Sequence, residues 1–156
     1  HRTSRRQRQM CIRDSVLTPV GGGGLIAGSA LAAKYFSENC KVIGAEPFEA
    51  DDAYRSLISG KIETNNTTST IADGLKTQLG DKNFPIIQKE VHSIIRITEK
   101  EIIESMKIIW ERLKIVCEPS CSLPLAAILK NKEFFKDRKI GIIISGGNVD
   151  LNNLPF

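Results

Sequence analysis

The sequence predicts an α/β fold on a doubly wound, mostly parallel sheet, and three observations carry that prediction. Val16–Val20, Lys41–Ala45 and Lys139–Ser145 are short, continuously apolar runs rather than alternating ones, the pattern of strands buried on both faces. Helix-forming stretches separate them, as crossovers between parallel strands require. The first run ends in Gly21-Gly22-Gly23-Gly24 and opens directly into an alanine-rich segment, the punctuation of a strand, a tight turn and a helix.

Along the chain, Leu25–Phe36 reads as the first helix and Lys41–Ala45 as the second strand, closed by Glu46-Pro47. A helix is expected over Ala50–Ser59, where Gly60 stops it. Residues 61–70 are polar and rich in Thr and Asn, so they predict a surface loop. Pro85–Val91 predicts a short helix and Ser93–Ile97 a strand. Thr98 and Glu101 then form a capping box for a helix whose Ile102, Met106, Ile109 and Leu113 face a core. Glu118-Pro119-Ser120 predicts a turn before a helix over Leu123–Leu129, and the last apolar run leads into Gly146-Gly147-Asn148.

The 156 residues are 41% apolar and 26% charged, enough for one globular domain. The net charge of +4 is confined to residues 1–15, which hold five arginines and one acid. This switch in Arg/Lys usage marks residues 1–15 as a non-native or disordered tail, packed against nothing, and 16–156 as the folded unit. The tail has no aromatic interleaving and no apolar signal region, so neither nucleic acid nor a targeting function is expected. No run of 18 apolar residues exists, which predicts a soluble chain outside any membrane. With Cys11 of the tail set aside, Cys40, Cys117 and Cys121, odd in number and without zinc-finger spacing, read as small buried residues of a reducing, cytoplasmic compartment.

Four sets of residues carry chemistry. Gly21–Gly24 can present successive backbone N–H groups and a helix N-terminus to one anion, typically phosphate. Gly22, Gly24 and Ala27 also fit the dinucleotide spacing, with Glu46 where a ribose-binding acid would stand, while the absence of a GKS or GKT excludes a Walker-type loop. Glu46, the Ala50 carbonyl and Asp52 could surround Mg²⁺ or Mn²⁺, with Asp51 pointing away, although acids also gather at helix N-termini for dipole reasons alone. Ser145 ends the last buried run and should lie at the same sheet edge as the glycine turn, where its hydroxyl could donate to a neutral ring nitrogen.

Taken in order, TPVGGGGLIAG, AEPFEADDA, TIADGLK, WERLKIVCEPS and ISGGNVDL resemble the racemase and dehydratase branch of the fold type II pyridoxal-phosphate enzymes, over about residues 16–151. The resemblance implies the large-domain part of the tryptophan synthase beta-like fold. It implies that Gly21–Gly24 and the Leu25 amide hold the cofactor phosphate and that Ser145 faces the pyridine nitrogen. By the same resemblance Glu46, Ala50 and Asp52 bind Mg²⁺ or Mn²⁺, Lys114 and Asn148 contact an activating nucleotide, and Glu118 shapes the pocket.

The resemblance further implies an absence. The family's Schiff-base lysine lies in an S-F-K-x-R-G motif upstream of the glycine turn, and no lysine precedes that turn here. The chain therefore reads as an inactive C-terminal fragment of a homodimeric pyridoxal-phosphate dehydratase that converts threonine or serine to a 2-oxo acid and ammonia. Serine racemase is the alternative within the family. A dinucleotide-binding domain or a non-catalytic phosphate-binding module is the alternative outside it.

Overall fold

The computed structural model describes residues 13–156. Its sheet has four parallel strands: β1 (Ser15–Pro19), β2 (Lys41–Pro47), β3 (Ser93–Ile97) and β4 (Ile140–Ile142), in the spatial order β3-β2-β1-β4. Helix α1 (Gly24–Phe36) links β1 to β2. Helices α2 (Asp52–Ser59) and α3 (Phe84–Glu90) lie between β2 and β3, and α4 (Glu99–Ile108), α5 (Pro119–Lys130) and the one-turn α6 (Lys132–Phe135) between β3 and β4. Alternation along β2 distributes the core to both faces. Val42 packs with Ile26, Ala30, Ala53, Ile87 and Ile94 on one side, while Ile43 and Ala45 pack with Leu17, Ile97, Ile102, Leu123 and Ala126 on the other. Helices thus cover both faces, as a doubly wound sheet requires. Each fully buried Leu or Ile in these layers contributes about 1.5–3 kcal/mol relative to exposure.

Several expected boundaries shift, each for a local physical reason. The tail expected over residues 1–15 ends earlier: residues 1–12 lie outside the described residues, but Ser15 is buried in β1 and Asp14 extends the ladder. Asp14 N donates to Lys139 O at 2.8 Å and its O accepts from Lys41 N at 3.0 Å. A central strand has ladder partners on both sides, which composition cannot report. The Thr98–Glu101 capping box is present, but α4 gives way at Ile109 to a wider π-turn through Leu113. That widening turns Leu113 outward, 58% exposed, against the expected core position. Glu118 and Pro119 start α5 as N-cap and N1 rather than forming a separate turn. Finally, the expected strand 139–145 pairs only over Ile140–Ile142 and is half-exposed, because β4 is the sheet edge beside an open apolar groove with α1.

Candidate cofactor cleft

The direction of winding reverses next to β1. The chain runs outward from β1 through β2 to β3, then returns to place β4 on the other side of β1. Crevices at the carboxyl ends of strands form at such a reversal. The glycine turn follows β1 and Ser145 follows β4, and both line one cleft of roughly 220 Å³ together with Pro19, Leu25, Gly74, Glu118 and Ser120. The expected convergence of Gly21–Gly24 with Ser145 is therefore present.

Two of the four glycines are dictated by the protein itself. Gly23 has φ +83°, and a Cβ there would stand 2.7 Å from Leu79 Cδ1 and 2.9 Å from Ile87 Cδ1. A Cβ on Gly21 would meet Thr77 Oγ1 at 2.9 Å. Gly22 and Gly24 differ, since a Cβ on either meets no protein atom nearer than 3.6 Å and 4.0 Å respectively. What those two glycines leave open is space inside the cleft. The amides of Gly21 to Leu25 take no backbone partner among the described residues, so a row of donors at the start of α1 remains unspent. Space and donors together fit a phosphate group.

The other wall comes from the start of α5. Glu118 Oε2 accepts from Asn148 N at 3.1 Å, and Glu118 N donates to Gly146 O at 3.3 Å, so the carboxylate ties the loop after Ser145 to α5. Ser120, buried, accepts from Gly74 N at 3.1 Å and joins the short 3-10 turn Asp73–Leu75 to the same helix. Gly74, Leu75 and Ser120 were not singled out from sequence, although TIADGLK and CEPS carried them. Their neighbourhood depends on contacts 46 residues apart. Cys117 and Cys121 are buried behind this wall, where the Cys121 sulfur lies 2.9 Å from Gly146 O.

The acidic cluster is separate from the cleft. Helix α2 has no side-chain cap from Asp51; the buried Glu46 carboxylate caps it instead, accepting from Ala53 N at 3.0 Å and Tyr54 N at 2.8 Å. Asp52 accepts from Asn65 Nδ2 at 2.7 Å and Leu79 N at 2.6 Å. Asp51 is paired with Arg55 at 2.7 Å and with Arg96 at 3.1 Å. Burial, then the charge of Asp52, pushes the Glu46 carboxyl well above its ordinary value, against the pull of the two amides. Among the described residues no group of three or more His, Cys, Asp or Glu side chains is gathered as a metal site. With Glu46 buried and capping a helix, the dinucleotide alternative loses its ribose-binding acid. Lys114 lies exposed at the end of the π-turn with φ 57°, and Asn148 lines a neighbouring cavity with Asp73, Pro119 and Asp150, whose lining does not include Lys114.

No helix among the described residues is long and apolar enough to cross a membrane. The family description "Pyridoxal-phosphate dependent enzyme" matches residues 6–146, so the match begins within the stretch that composition sets apart. The chain is 52% identical over 147 residues to serine racemase of Dictyostelium discoideum, covering 90% of this chain and 45% of that protein. It is 45% identical over 143 residues to beta-hydroxyaspartate dehydratase of Paracoccus denitrificans, covering 92% of this chain and 45% of that protein. Among solved structures, maize serine racemase superposes with a TM-score of 0.89 at 41% identity, covering 94% of this chain and 46% of that one. A threonine deaminase superposes with a TM-score of 0.87 at 39% identity, covering 95% of this chain and 54% of that one. The chain thus spans about 45% of the length of these curated relatives.

Proposed function

This chain belongs to the pyridoxal-phosphate dependent enzymes, and from that premise we propose that it is the cofactor-holding part of an ammonia-lyase acting on threonine or serine. The observation that carries the reading is the single cleft shared by the unspent amides of Gly21–Leu25 and the hydroxyl of Ser145. In this reading the glycine-turn amides hold the cofactor phosphate and Ser145 donates to the pyridine nitrogen. Bound there, the cofactor supplies an electron sink for the α-carbon of an amino acid. A neutral serine opposite that nitrogen, rather than a carboxylate, suits elimination more than transamination. Glu118 and Ser120 hold the opposite wall in place.

Without a lysine ahead of the glycine turn, this chain alone has no residue to anchor the cofactor covalently in the family's manner, and we expect it to be inactive. Racemisation of serine is the second reading within the family, favoured by the identity to the Dictyostelium protein. The test is direct: the complete enzyme is assayed for 2-oxobutyrate from L-threonine, pyruvate from L-serine, and D-serine. Oxo-acid release sustains the lyase reading. D-Serine without oxo acid replaces it with the racemase.

Mg²⁺ or Mn²⁺ at Glu46, the Ala50 carbonyl and Asp52 is the finer part of the proposal. Its support is that Glu46 and Asp52 are both buried and form no ion pair among the described residues. Mg²⁺ should raise the melting temperature of the wild-type enzyme by mass action and leave Asp52→Asn unmoved. Equal responses would leave the acids as helix and loop caps. A nucleotide effector at Lys114 and Asn148 belongs to the same proposal for the complete enzyme, which we take to be a homodimer.

A further inference from the structure

The carbonyl of Gly22 is held from two sides by one short turn. Asn83 Nδ2 donates to it at 2.7 Å and Gly80 N at 3.1 Å, across 61 residues of sequence in the first case. Nitrogen is the only assignment of the Asn83 amide that suits this contact, because its oxygen would face another acceptor. Asn83 stands at the N-cap of α3, where an Asn side chain ordinarily caps its own helix, yet it makes no capping bond there. Its amide is committed to the glycine turn instead.

The direction of that bond matters because the peptide is planar and trans. With the Gly22 carbonyl pinned toward Gly80 and Asn83, the Gly23 N–H must point the opposite way. Gly22 and Gly23 line the cleft, whereas neither Gly80 nor Asn83 does. The pinned carbonyl is therefore on the outside of the turn and the Gly23 N–H faces the cleft. A peptide between two glycines has no Cβ on either side to restrict its rotation, so its orientation depends on an external restraint. Two hydrogen bonds to one carbonyl also polarise that peptide and strengthen its N–H as a donor.

We propose that Asn83 is a positioning residue of the phosphate site: it orients the Gly22–Gly23 peptide so that the Gly23 N–H is preset for the phosphate. The proposal rests on the phosphate reading of the cleft given above. It costs α3 nothing, since α3 does not use the side chain, and it explains why a polar residue of the 80–83 turn is directed at the glycine turn.

Amide-resolved NMR of the chain, titrated with pyridoxamine 5′-phosphate, tests it with Asn83→Ser. Serine is neutral and remains an acceptable N-cap, but is too short to reach the Gly22 carbonyl. In the wild type the amides from Gly21 to Leu25 should move downfield together. In N83S the affinity should fall about tenfold, with the Gly23 response lost while Gly24 and Leu25 keep theirs. A purely structural role would instead blur the whole spectrum. If N83S loses spectral dispersion, Asn83→Thr carries the same test. An unchanged affinity with an intact Gly23 response in the variant overturns the proposal and leaves the phosphate reading standing. Unresponsive glycine amides in the wild type remove that reading, and the proposal with it.

Discussion

The carboxylate of Asp52 accepts the backbone N–H of Leu79 at 2.6 Å, fastening the long polar loop between α2 and α3 to the first turn of α2. Its other oxygen accepts from Asn65 Nδ2, so one buried side chain organises both ends of that loop. Asp52→Ala would leave the buried Leu79 amide and the half-buried Asn65 amide without their acceptor and should cost about 2–4 kcal/mol. Asp52→Asn keeps one acceptor oxygen and should cost less. Urea denaturation of the two variants checks the order; equal stabilities would mean the loop holds without this anchor.

The glycines of the turn should separate into two classes when changed singly to alanine. Gly23→Ala forces a side chain into the left-handed region and against Leu79 and Ile87, and should destabilise the fold by about 2–4 kcal/mol. Gly24→Ala has room in the protein and replaces a helix glycine, so its melting temperature should hold or rise. The same G24A change narrows the cleft and should weaken pyridoxamine 5′-phosphate binding. Melting curves together with binding isotherms decide it, and intact affinity in G24A would place the phosphate elsewhere.

Stability should depend on acid through Glu101. Burial alone would raise its carboxyl, but the Thr98 amide, the Lys130 ammonium and the Thr98 hydroxyl outweigh that and hold it below its ordinary value of 4.5. The unfolded chain therefore takes up this proton at higher pH than the folded one. The contribution is present above the ordinary value and is lost as pH falls through the folded one. Glu101→Gln should cost about 1 kcal/mol at neutral pH and flatten the acid side of the melting profile. Parallel profiles for both proteins would exclude Glu101 as the source.

Thiol labelling should rank the cysteines of the described residues. Cys117 and Cys121 are fully buried, and the hydrogen bond that the Cys117 thiol donates to the Cys121 sulfur, together with burial, holds Cys117 above its ordinary value. Cys40 is half-buried, with burial raising its thiol as well. Iodoacetamide with peptide mapping should mark Cys40 first and reach the other two only at the rate of unfolding. Early labelling of Cys121 would mean that the wall behind Glu118 opens on its own.

Much of this was legible in the sequence because its signals are local. The capping box needs only Thr98 and Glu101 three residues apart, and the tetraglycine turn announces itself between a strand and a helix. Ser145 could be placed opposite that turn because a parallel sheet puts all strand ends on one edge. What escaped depended on distance in sequence. The commitment of Asn83 to Gly22, the Ser120–Gly74 bond and the inclusion of Asp14 and Ser15 in the sheet all join residues dozens of positions apart. The outward turn of Leu113 had a different cause, since a π-turn breaks the 3.6-residue period from which its burial was expected.

The strand order also sets a schedule. β1 can find β2 as soon as residue 47 is available, but its other neighbour begins at Ile140, 125 positions after Ser15. At ordinary synthesis rates of about 5–20 residues per second, roughly 6–25 s separate the emergence of β1 from that of β4 at the ribosome. Throughout that interval the β4-facing edge of β1 has no partner of its own, and the glycine turn waits without the loop that bears Ser145. The cleft therefore comes into being last, with the arrival of β4.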